Sequence, residues 1–237
     1  MTIDCSLLKD LAASYGTQLD DTALSRFDTY AQLLIEWNEK INLTTITEPE
    51  EIVYKHFLDS ILPLYYVEIP EGASLIDVGT GAGFPGLPLL IARPDLKVTL
   101  LDGTRKRLNV IQDIADHLEL EPVLVHGRAE EKGRDPKYRE KFDFATARAV
   151  SGLRTLSEYC LPFIRVNGMF LALKGPAADE ELAEADHAIS VLGGYAEEPI
   201  VYDLEGRGER SLVLITKEER TPKQYPRPAG QMKKKPL

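Results

Sequence analysis

Apolar residues recur at intervals of three and four in the first part of the chain, which is the spacing of one face of a helix. In residues 20–40 the residues on this face are Phe27, Tyr30, Leu34, Trp37 and Ile41. Asp20 or Asp21 can cap this helix, and a shorter helix is predicted over residues 4–15. Trp37, the only tryptophan, is interpreted as a core residue and not as a platform for stacked bases.

A third helix is predicted from Thr47 to just before Pro63. The letters T-E-P-E at its start offer Thr47 as the cap, an early proline, and Glu50 at the position that completes a capping box. His56 and Asp59 of "HFLDS" lie on one face of this helix, where they either form a simple side-chain pair or border a functional site. Residues 1–69 are therefore predicted to form a helical N-terminal extension.

From about residue 74 the pattern changes to short apolar strands that alternate with helices. The predicted strands are "SLIDVG", "KVTLLD", "PVLVHG", "FDFATARAV" and "GMFLALKG". Repeated β-α units require right-handed crossovers and a mostly parallel sheet with helices on both faces. A hairpin of "EEPIVYDL" and "ERSLVLITK" follows, and its added strand can enter the sheet only antiparallel. Residues 70–217 are predicted to form this α/β core.

The remaining residues, 218–237, form a basic, proline-rich tail that is predicted to be extended and not helical. Although the formal net charge is −10, residues 217–237 carry seven Lys or Arg against Glu218 and Glu219, a local charge of +5. A polyanionic partner would therefore have to meet a local basic patch, because the bulk charge opposes it.

Several classes of protein do not fit the composition. No apolar run approaches the length of a membrane span, and the N-terminus lacks a basic region followed by an apolar stretch, so we expect a cytoplasmic protein. Cys5 and Cys160 lie far apart without a C-x-x-C partner, and the four histidines show no H-x-x-x-H spacing. Neither a metal site nor a disulfide framework is expected.

Residues 76–86, "IDVGTGAGFPG", contain two overlapping glycine signatures. From Gly81 the stretch reads G-x-G-x-x-G, as in a dinucleotide-binding turn, and from Asp77 it reads D-x-G-x-G-x-G, as in proteins that bind S-adenosylmethionine. A glycine turn between a strand and a helix suits either ligand. Asp102, at the end of the second strand, can accept hydrogen bonds from ribose hydroxyls in both cases.

Three features favour S-adenosylmethionine over NAD. Asp77 could accept a hydrogen bond from an amino group, whereas it would repel a pyrophosphate. The "GRAEE" stretch after the third strand places acidic and backbone groups where an adenine could be recognised. The terminal antiparallel hairpin is usual in methyltransferase sheets and foreign to the dinucleotide fold.

From about residue 30 to its end the chain resembles the bacterial ribosomal small-subunit RNA (guanine-N7) methyltransferases, the glucose-inhibited division protein B family. The blocks that carry the resemblance are "WNEKINLTTIT", "HFLDS", "IDVGTGAGFPG", "LLDGTRKR", "GRAEE", "ARAV", "LALKG" and "YPRPAG…KKKPL". The resemblance implies a Rossmann-like class I S-adenosylmethionine-dependent fold, with a seven-stranded, mostly parallel sheet and one antiparallel strand. It also implies methyl transfer from S-adenosylmethionine to N7 of one guanine of 16S ribosomal RNA.

The resemblance implies five cofactor contacts, which are Gly79, Phe84, Ala129, Glu130 and Arg148. Asp102 is added to them on geometry, and Asp77, Gly81 and Gly83 are added from the glycine signature itself. The full set is Asp77, Gly79, Gly81, Gly83, Phe84, Asp102, Ala129, Glu130 and Arg148. Arg148, near the end of a predicted strand, has a surface salt bridge as its alternative role. Gly103 is the one departure noted, because a serine is more usual there, and it leaves Asp102 intact.

No catalytic base is expected, because guanine N7 carries a lone pair and no proton. Arg148 and Lys174 are possible contributors, and Lys174 could instead hold a neighbouring acid. Candidate RNA contacts are Arg105, Lys106, Arg107, Lys174, Arg227, Lys233, Lys234 and Lys235. The expected partner of a monomeric chain is small-subunit RNA, a ribosomal subunit or an assembly intermediate. The alternatives are methyl transfer to another RNA or a small molecule, or a non-catalytic module that binds the cofactor.

Overall fold

A single twisted sheet forms the centre of the computed structural model, which describes residues 2–237. Its strands are β1 (Ser74–Val78), β2 (Lys97–Asp102), β3 (Val123–His126), β4 (Phe142–Arg148), β5 (Ile164–Lys174), β6 (Gly194–Ala196), β7 (Ile200–Asp203) and β8 (Glu209–Lys217). They are arranged in the order β3-β2-β1-β4-β5-β8-β6, and β7 also pairs with β8. β1 to β5 are parallel, and β8 pairs antiparallel with β5, as the predicted hairpin requires.

The sheet has eight strands where seven were predicted, because one position is shared by two short strands. β6 pairs with the end of β8, from Ile215 to Lys217, and β7 pairs with its beginning, from Glu209 to Leu212. The chain between β6 and β7 includes Pro199, which has no backbone N–H to donate to a ladder. The sheet therefore keeps seven positions across, as in the expected class I methyltransferase fold.

Helices cover both faces of this sheet. They are α1 (Cys5–Ser14), α2 (Asp21–Asn38), α3 (Pro49–Ile52), α4 (Asp59–Ile61), α5 (Pro63–Tyr66), α6 (Gly86–Ala92), α7 (Arg105–His117), α8 (Ala129–Lys132), α9 (Leu153–Cys160), α10 (Ala178–Val191) and α11 (Ala229–Lys234). One buried cluster joins the N-terminal helices to the face that carries α6 and α7, and a second lies under α9 and α10. In residues 2–237, no helix combines the length and the apolar character needed to span a membrane.

The first two helices form as predicted, and the third departs from the prediction. Asp20 caps α2 by accepting a hydrogen bond from Ala23 N at 2.7 Å. The predicted cap at Thr47 is wrong, since α3 begins at Pro49 and its N-cap, Glu48, makes no side-chain cap bond. Helical structure continues toward Pro63, but residues Val53–Leu58 between α3 and α4 are π-helical. A single wide turn of this kind often marks a functional site.

The tail also departs from the prediction, because it contains the short helix α11. Pro228 precedes this helix and Pro236 follows it, so the prolines bound it without interrupting it. Met232 is almost completely buried and fixes the helix to the body of the protein. Before the helix, Arg134 and Arg139 donate hydrogen bonds to backbone carbonyls of residues 221–226.

The single tryptophan takes the core position that was expected, and the two cysteines also pack in the interior or at its border. Trp37 is half-buried against the core, and its Nε1 donates to Asp113 Oδ2 at 2.7 Å. Cys160 is buried and Cys5 is half-buried, and both are free thiols. None of the three residues lines the cavities described below.

Candidate functional site

The loop between β1 and α6 depends on glycine at three positions with positive φ. The φ angles are +74° at Gly79, +63° at Gly81 and +104° at Gly83, in the region that side chains disfavour. Gly79 lines both of two adjoining cavities, and Gly81 lines the larger one. Gly83 lines neither, because a Cβ atom there would lie 2.7 Å from both the Leu87 side chain and the Tyr30 hydroxyl. Gly83 therefore serves the packing of the loop.

Asp77 lies buried beneath this loop and lines neither cavity. Its Oδ2 accepts from Thr80 Oγ1 at 2.6 Å and from Gly86 N at 2.9 Å, which closes the loop onto the start of α6. Among residues 2–237 its Oδ1 finds no hydrogen-bond donor. Burial raises the pKa of Asp77 from 3.8 to about 6, although its hydrogen bonds act in the opposite direction. The structure thus gives Asp77 a role in shaping the loop and leaves one of its oxygens without a partner.

The smaller cavity, of about 260 Å³, opens between the ends of β1, β2 and β3. Asp102, Ala129 and Glu130 line it as predicted sites, together with Tyr159 and Val150, which the sequence analysis missed. Asp102 Oδ2 accepts from Gly81 N at 3.0 Å, and its Oδ1 accepts from Thr104 N at 2.7 Å. Ligands of open α/β sheets bind at this edge, outside the carboxyl ends of the strands.

The larger cavity, of about 480 Å³, lies on the other side of Gly79 and is bounded by the N-terminal extension. Of the predicted cofactor residues, Gly79, Gly81, Phe84 and Arg148 line it. Its cationic side chains are Lys55, Arg107, Arg148, Lys174 and Arg210, and its carboxylates are Asp59 and Glu181. Lys55 and Arg210 were not predicted, because nothing in their local sequence distinguishes them from surface residues.

Arg148 is held by the N-terminal extension. Its Nη1 donates to Asp59 Oδ2 at 2.8 Å and to the carbonyl of Lys55 at 3.0 Å, and its Nη2 donates to His56 Nδ1 at 3.2 Å. The alternative of a surface salt bridge is wrong, since only 15% of the Arg148 side chain and 4% of the Asp59 side chain are exposed. The structure therefore places His56 and Asp59 of "HFLDS" at the larger cavity.

His56 is neutral in this arrangement. Burial and then the neighbouring Arg148 guanidinium lower the pKa of His56 from 6.5 to about 3. Its ring stacks on Phe84 with the centroids 4.4 Å apart, and Tyr30 also stacks on Phe84, at 5.2 Å. Phe84 is thus enclosed by aromatic rings of the N-terminal extension, which anchors the glycine loop to that extension.

The predicted RNA contacts divide into free and paired cations. Lys174 Nζ lies 2.7 Å from Glu181 Oε2, so the alternative of a neighbouring acid is the one observed. Arg227 is paired too, because its Nη2 lies 2.6 Å from Glu158 Oε2 and only 12% of its side chain is exposed. The exposed members of the set are Arg105, Lys106 and Arg107 on α7 and Lys233, Lys234 and Lys235 at the end of the tail. Arg107 Nη1 also approaches Asp102 Oδ2 to 3.7 Å.

Solved structures of low sequence identity share this fold. An O-methyltransferase from Bacillus cereus, determined in complex with SAH, superposes with a TM-score of 0.57 at 14% identity and covers 80% of this chain and 91% of its own. The YcgJ protein of Bacillus subtilis superposes with a TM-score of 0.54 at 18% identity and covers 69% of this chain and all of its own. The fold predicted from the sequence is confirmed.

Relatives of much higher identity extend over nearly the whole chain. The family described as "rRNA small subunit methyltransferase G" matches residues 23–211. Proteins called ribosomal RNA small subunit methyltransferase G are 51% identical over 235 residues in Lactobacillus delbrueckii subsp. bulgaricus and 49% identical over 230 residues in Brevibacillus brevis. These matches cover 98% and 96% of this chain, and 98% and 97% of the relatives. They favour the methyltransferase interpretation of the glycine loop over NAD, and the chain belongs to the rRNA small subunit methyltransferase G family.

Proposed function

We propose that this protein transfers a methyl group from S-adenosylmethionine to N7 of one guanine in small-subunit ribosomal RNA. The observation that carries the proposal is the pair of cavities that adjoin at Gly79, one with an acidic strand end and one lined by five cationic side chains. The first suits a nucleoside with free ribose hydroxyls, and the second suits a nucleotide with its phosphates. The family supplies the reaction class and the RNA.

The residues of the smaller cavity fit the adenosine part of the cofactor. Asp102 would accept from the ribose hydroxyls, while Glu130 and the backbone at Ala129 would meet the adenine. Gly79 and Gly81 leave room for the methionine part to cross toward the larger cavity, and the unpartnered Asp77 Oδ1 supplies negative charge beneath the loop. The bound cofactor supplies an electrophilic methyl group on a sulfonium, and that sulfur keeps the bonding electron pair when the methyl leaves.

Methyl transfer to guanine N7 does not require the residues around the larger cavity to remove a proton. Guanine N7 can form the new bond with its own lone pair, so the protein must position the base and stabilise it as it becomes cationic. The neutral His56 has its Nδ1 committed to Arg148, and Asp59 is paired with the same arginine. The arrangement therefore suits a reaction that depends on orientation and not on a general base.

We propose that the RNA approaches across the carboxyl edge of the sheet. The exposed cations of α7 and of the tail, Arg105 to Arg107 and Lys233 to Lys235, would then contact phosphates. N7 lies on the major-groove edge of guanine, which the deep, narrow groove of an RNA helix hides, so the target is unpaired or held in irregular structure. We place the protein in the cytoplasm as a monomer, and size-exclusion chromatography with light scattering tests the oligomeric state.

Site-specific replacement of the target atom tests the proposed function. Methylated nucleosides from small-subunit RNA treated with protein and S-adenosylmethionine should include 7-methylguanosine at a single position when analysed by mass spectrometry. RNA with 7-deazaguanine at that position should bind and accept no methyl group. The matched control carries 7-deazaguanine at a neighbouring guanine and should be methylated normally. Methylation of the 7-deaza substrate, or of a different RNA only, would contradict the proposal.

A further inference from the structure

Arg148 has five N–H groups, and the protein engages three of them. Nη1 donates to the Lys55 carbonyl and to Asp59 Oδ2, and Nη2 donates to His56 Nδ1. Within the described residues 2–237, its Nε–H and second Nη2–H have no acceptor. Since Arg148 lines the larger cavity, these two N–H groups remain for a ligand.

The hydrogen bonds fix the tautomer of His56. An arginine can only donate, so His56 Nδ1 must be the acceptor of the pair. In a neutral imidazole the proton then sits on Nε2, which donates to Thr44 Oγ1 at 2.8 Å. Thr44 Oγ1 also accepts from Ile46 N at 3.0 Å, so its own position is fixed by the chain that follows α2. His56 is thus held as a neutral acceptor with its lone pair toward Arg148.

A hydrogen bond from β7 fixes the other oxygen of Asp59. Tyr202, on β7, donates its hydroxyl to Asp59 Oδ1 at 3.2 Å, while Oδ2 accepts from Arg148. Burial, together with the adjacent Asp59, raises the pKa of Tyr202 well above its usual value, so its hydroxyl remains a donor. Both oxygens of Asp59 are therefore engaged, and the carboxylate cannot rotate without losing a hydrogen bond.

The three partners of Arg148 come from one short piece of chain. Lys55 and His56 belong to the π-helical segment Val53–Leu58, and Asp59 is the first residue of α4. These helical residues are buried or half-buried, and Phe57 packs among the rings of Phe27 and Tyr30. The segment is thus a rigid support for a side chain that is long and has many rotamers of its own.

We propose that His56 and Asp59 are positioning residues, which hold the Arg148 guanidinium in one plane so that its two remaining N–H groups are presented to the reactants in the larger cavity. The inference rests on the proposed methyl transfer, in which Arg148 contacts the bound molecules. His56 and Asp59 act through Arg148 and have no contact with the transferred group. They contribute by orienting Arg148, because a displacement of about 1 Å at a reacting centre can lower the rate on the order of 100-fold.

Two variants of His56 and one control variant separate orientation from simple packing. His56→Phe keeps the ring on Phe84 but removes the acceptor, and should lower the single-turnover rate of methyl transfer about 10- to 100-fold. His56→Asn places an amide oxygen near the position of Nδ1 and should recover most of that rate. His117→Phe, on the exposed end of α7, is the matched control and should retain the wild-type rate. Thermal unfolding of each variant confirms that the fold is retained.

A double-mutant cycle then asks whether His56 acts through Arg148. In an Arg148→Ala background, His56→Phe should cause no further loss of rate, because there is no guanidinium left to orient. Asp59→Asn, which keeps the shape of the carboxylate and removes its charge, should show the same non-additivity. It replaces His56→Phe in the cycle if that variant does not fold.

Two results would overturn the inference: a wild-type rate in both His56→Phe and Asp59→Asn, or losses that simply multiply with that of Arg148→Ala. A wild-type rate in His56→Phe beside a loss in His56→Asn would also overturn it, because the ring would then serve packing alone. If the methylated atom is not guanine N7, the proposed function fails. The cycle is still measured at whichever RNA position accepts the methyl group.

Discussion

Asp102 is the last residue of β2, and it binds the backbone on both sides of the smaller cavity. Its two oxygens accept from Gly81 N and Thr104 N, which fixes the glycine loop relative to the start of α7. A carboxylate oxygen can accept a second hydrogen bond, so this side chain can shape the cavity and still bind ribose hydroxyls. The geometry of the cavity and its chemistry thus depend on one residue.

Asp102→Asn should weaken binding of S-adenosylmethionine about 10- to 100-fold, because an amide has one acceptor oxygen and its NH₂ would oppose a backbone donor. Isothermal titration calorimetry with the cofactor measures the change, and RNA affinity in the absence of cofactor should stay the same. Asp116→Asn, on the exposed side of α7 beside Gln112, is the matched control. Equal affinities of the wild type and Asp102→Asn would exclude a role of Asp102 in cofactor binding.

The neutral His56 makes the stability of the protein depend on pH. Its folded-state pKa of about 3 is below the ordinary value of 6.5, so the unfolded chain binds a proton first as the pH falls. This stability is complete above pH 6.5 and is lost progressively toward pH 3, by about 1.4 kcal/mol per pH unit between these limits.

Denaturant unfolding of the wild type and His56→Asn between pH 7.5 and about 4.5 tests this dependence. The wild type should lose its advantage over the variant as the pH falls. Asp77 titrates in the opposite sense: its folded-state pKa is raised to about 6, so its contribution is present below pH 3.8 and lost as the pH rises through 6. Because Asp77 is in both proteins, it cancels in the difference. A pH-independent difference would show that His56 is not buried as a neutral group.

Sequence patterns could predict a site residue only where the predicted strands and helices bring that residue to the site. Asp102, Ala129 and Glu130 follow the ends of parallel strands, which meet at one edge of the sheet, and the structure puts all three around one cavity. Tyr202 lies 143 residues from Asp59, and Thr44 bonds to His56 from a loop without regular pattern. Such partners are set by how the N-terminal extension docks on the sheet, which no local pattern records.

At the scale of elements, two segments differ from what their sequence pattern indicated. The π-helical turn at Val53–Leu58 keeps the apolar spacing of an ordinary helix, so periodicity alone does not reveal it. The helix α11 is too short to be stable by itself. It forms because Met232 is buried and because Arg227, just before it, is tied to Glu158 of α9. Tertiary contacts therefore decide the helix of the tail.

Arg227→Ala should detach the tail from the core. It leaves Glu158, of which 2% is exposed, as a buried charge without its partner, a change that typically costs about 3–5 kcal/mol. Denaturant unfolding measures the loss, and trypsin should cleave after Lys233 and Lys234 faster than in the wild type. The double variant Arg227→Met with Glu158→Met should lose less, since no buried charge remains. An unchanged cleavage rate in Arg227→Ala would show that this ion pair does not hold the tail.

At the scale of the whole molecule, the N-terminal extension is part of the body that forms the site. Residues from α1 and α2 share one buried cluster with β1, β2, α6 and α7, so one core continues from the extension into the sheet. The net charge of −10 is distributed unevenly over the molecule. The cationic residues that line the larger cavity, with those of α7, are gathered at the carboxyl edge of the sheet, where an RNA would approach.

The exposed lysines at the end of the tail are expected to contribute to RNA affinity through their charge alone. Replacing Lys233, Lys234 and Lys235 with glutamine removes three exposed cations but leaves the anchor of the tail, Arg227 with Glu158, in place. RNA binding should weaken, and the slope of log K against log salt should become shallower by about 2, because each phosphate contact contributes roughly 0.7 to 0.9. Fluorescence anisotropy at several salt concentrations measures the slope, and calorimetry should show an unchanged cofactor affinity.

A matched triple variant distinguishes local contact from a general change of net charge. Lys9, Lys97 and Lys141 are also exposed, and Lys97 and Lys141 lie at the amino ends of β2 and β4, on the edge opposite the cavities. Replacing these three with glutamine changes the net charge equally, and should leave the salt slope near that of the wild type. If both triple variants shift the slope alike, the RNA responds only to the overall charge. If neither does, the tail does not contact the RNA, and the exposed cations of α7 and the larger cavity must account for binding.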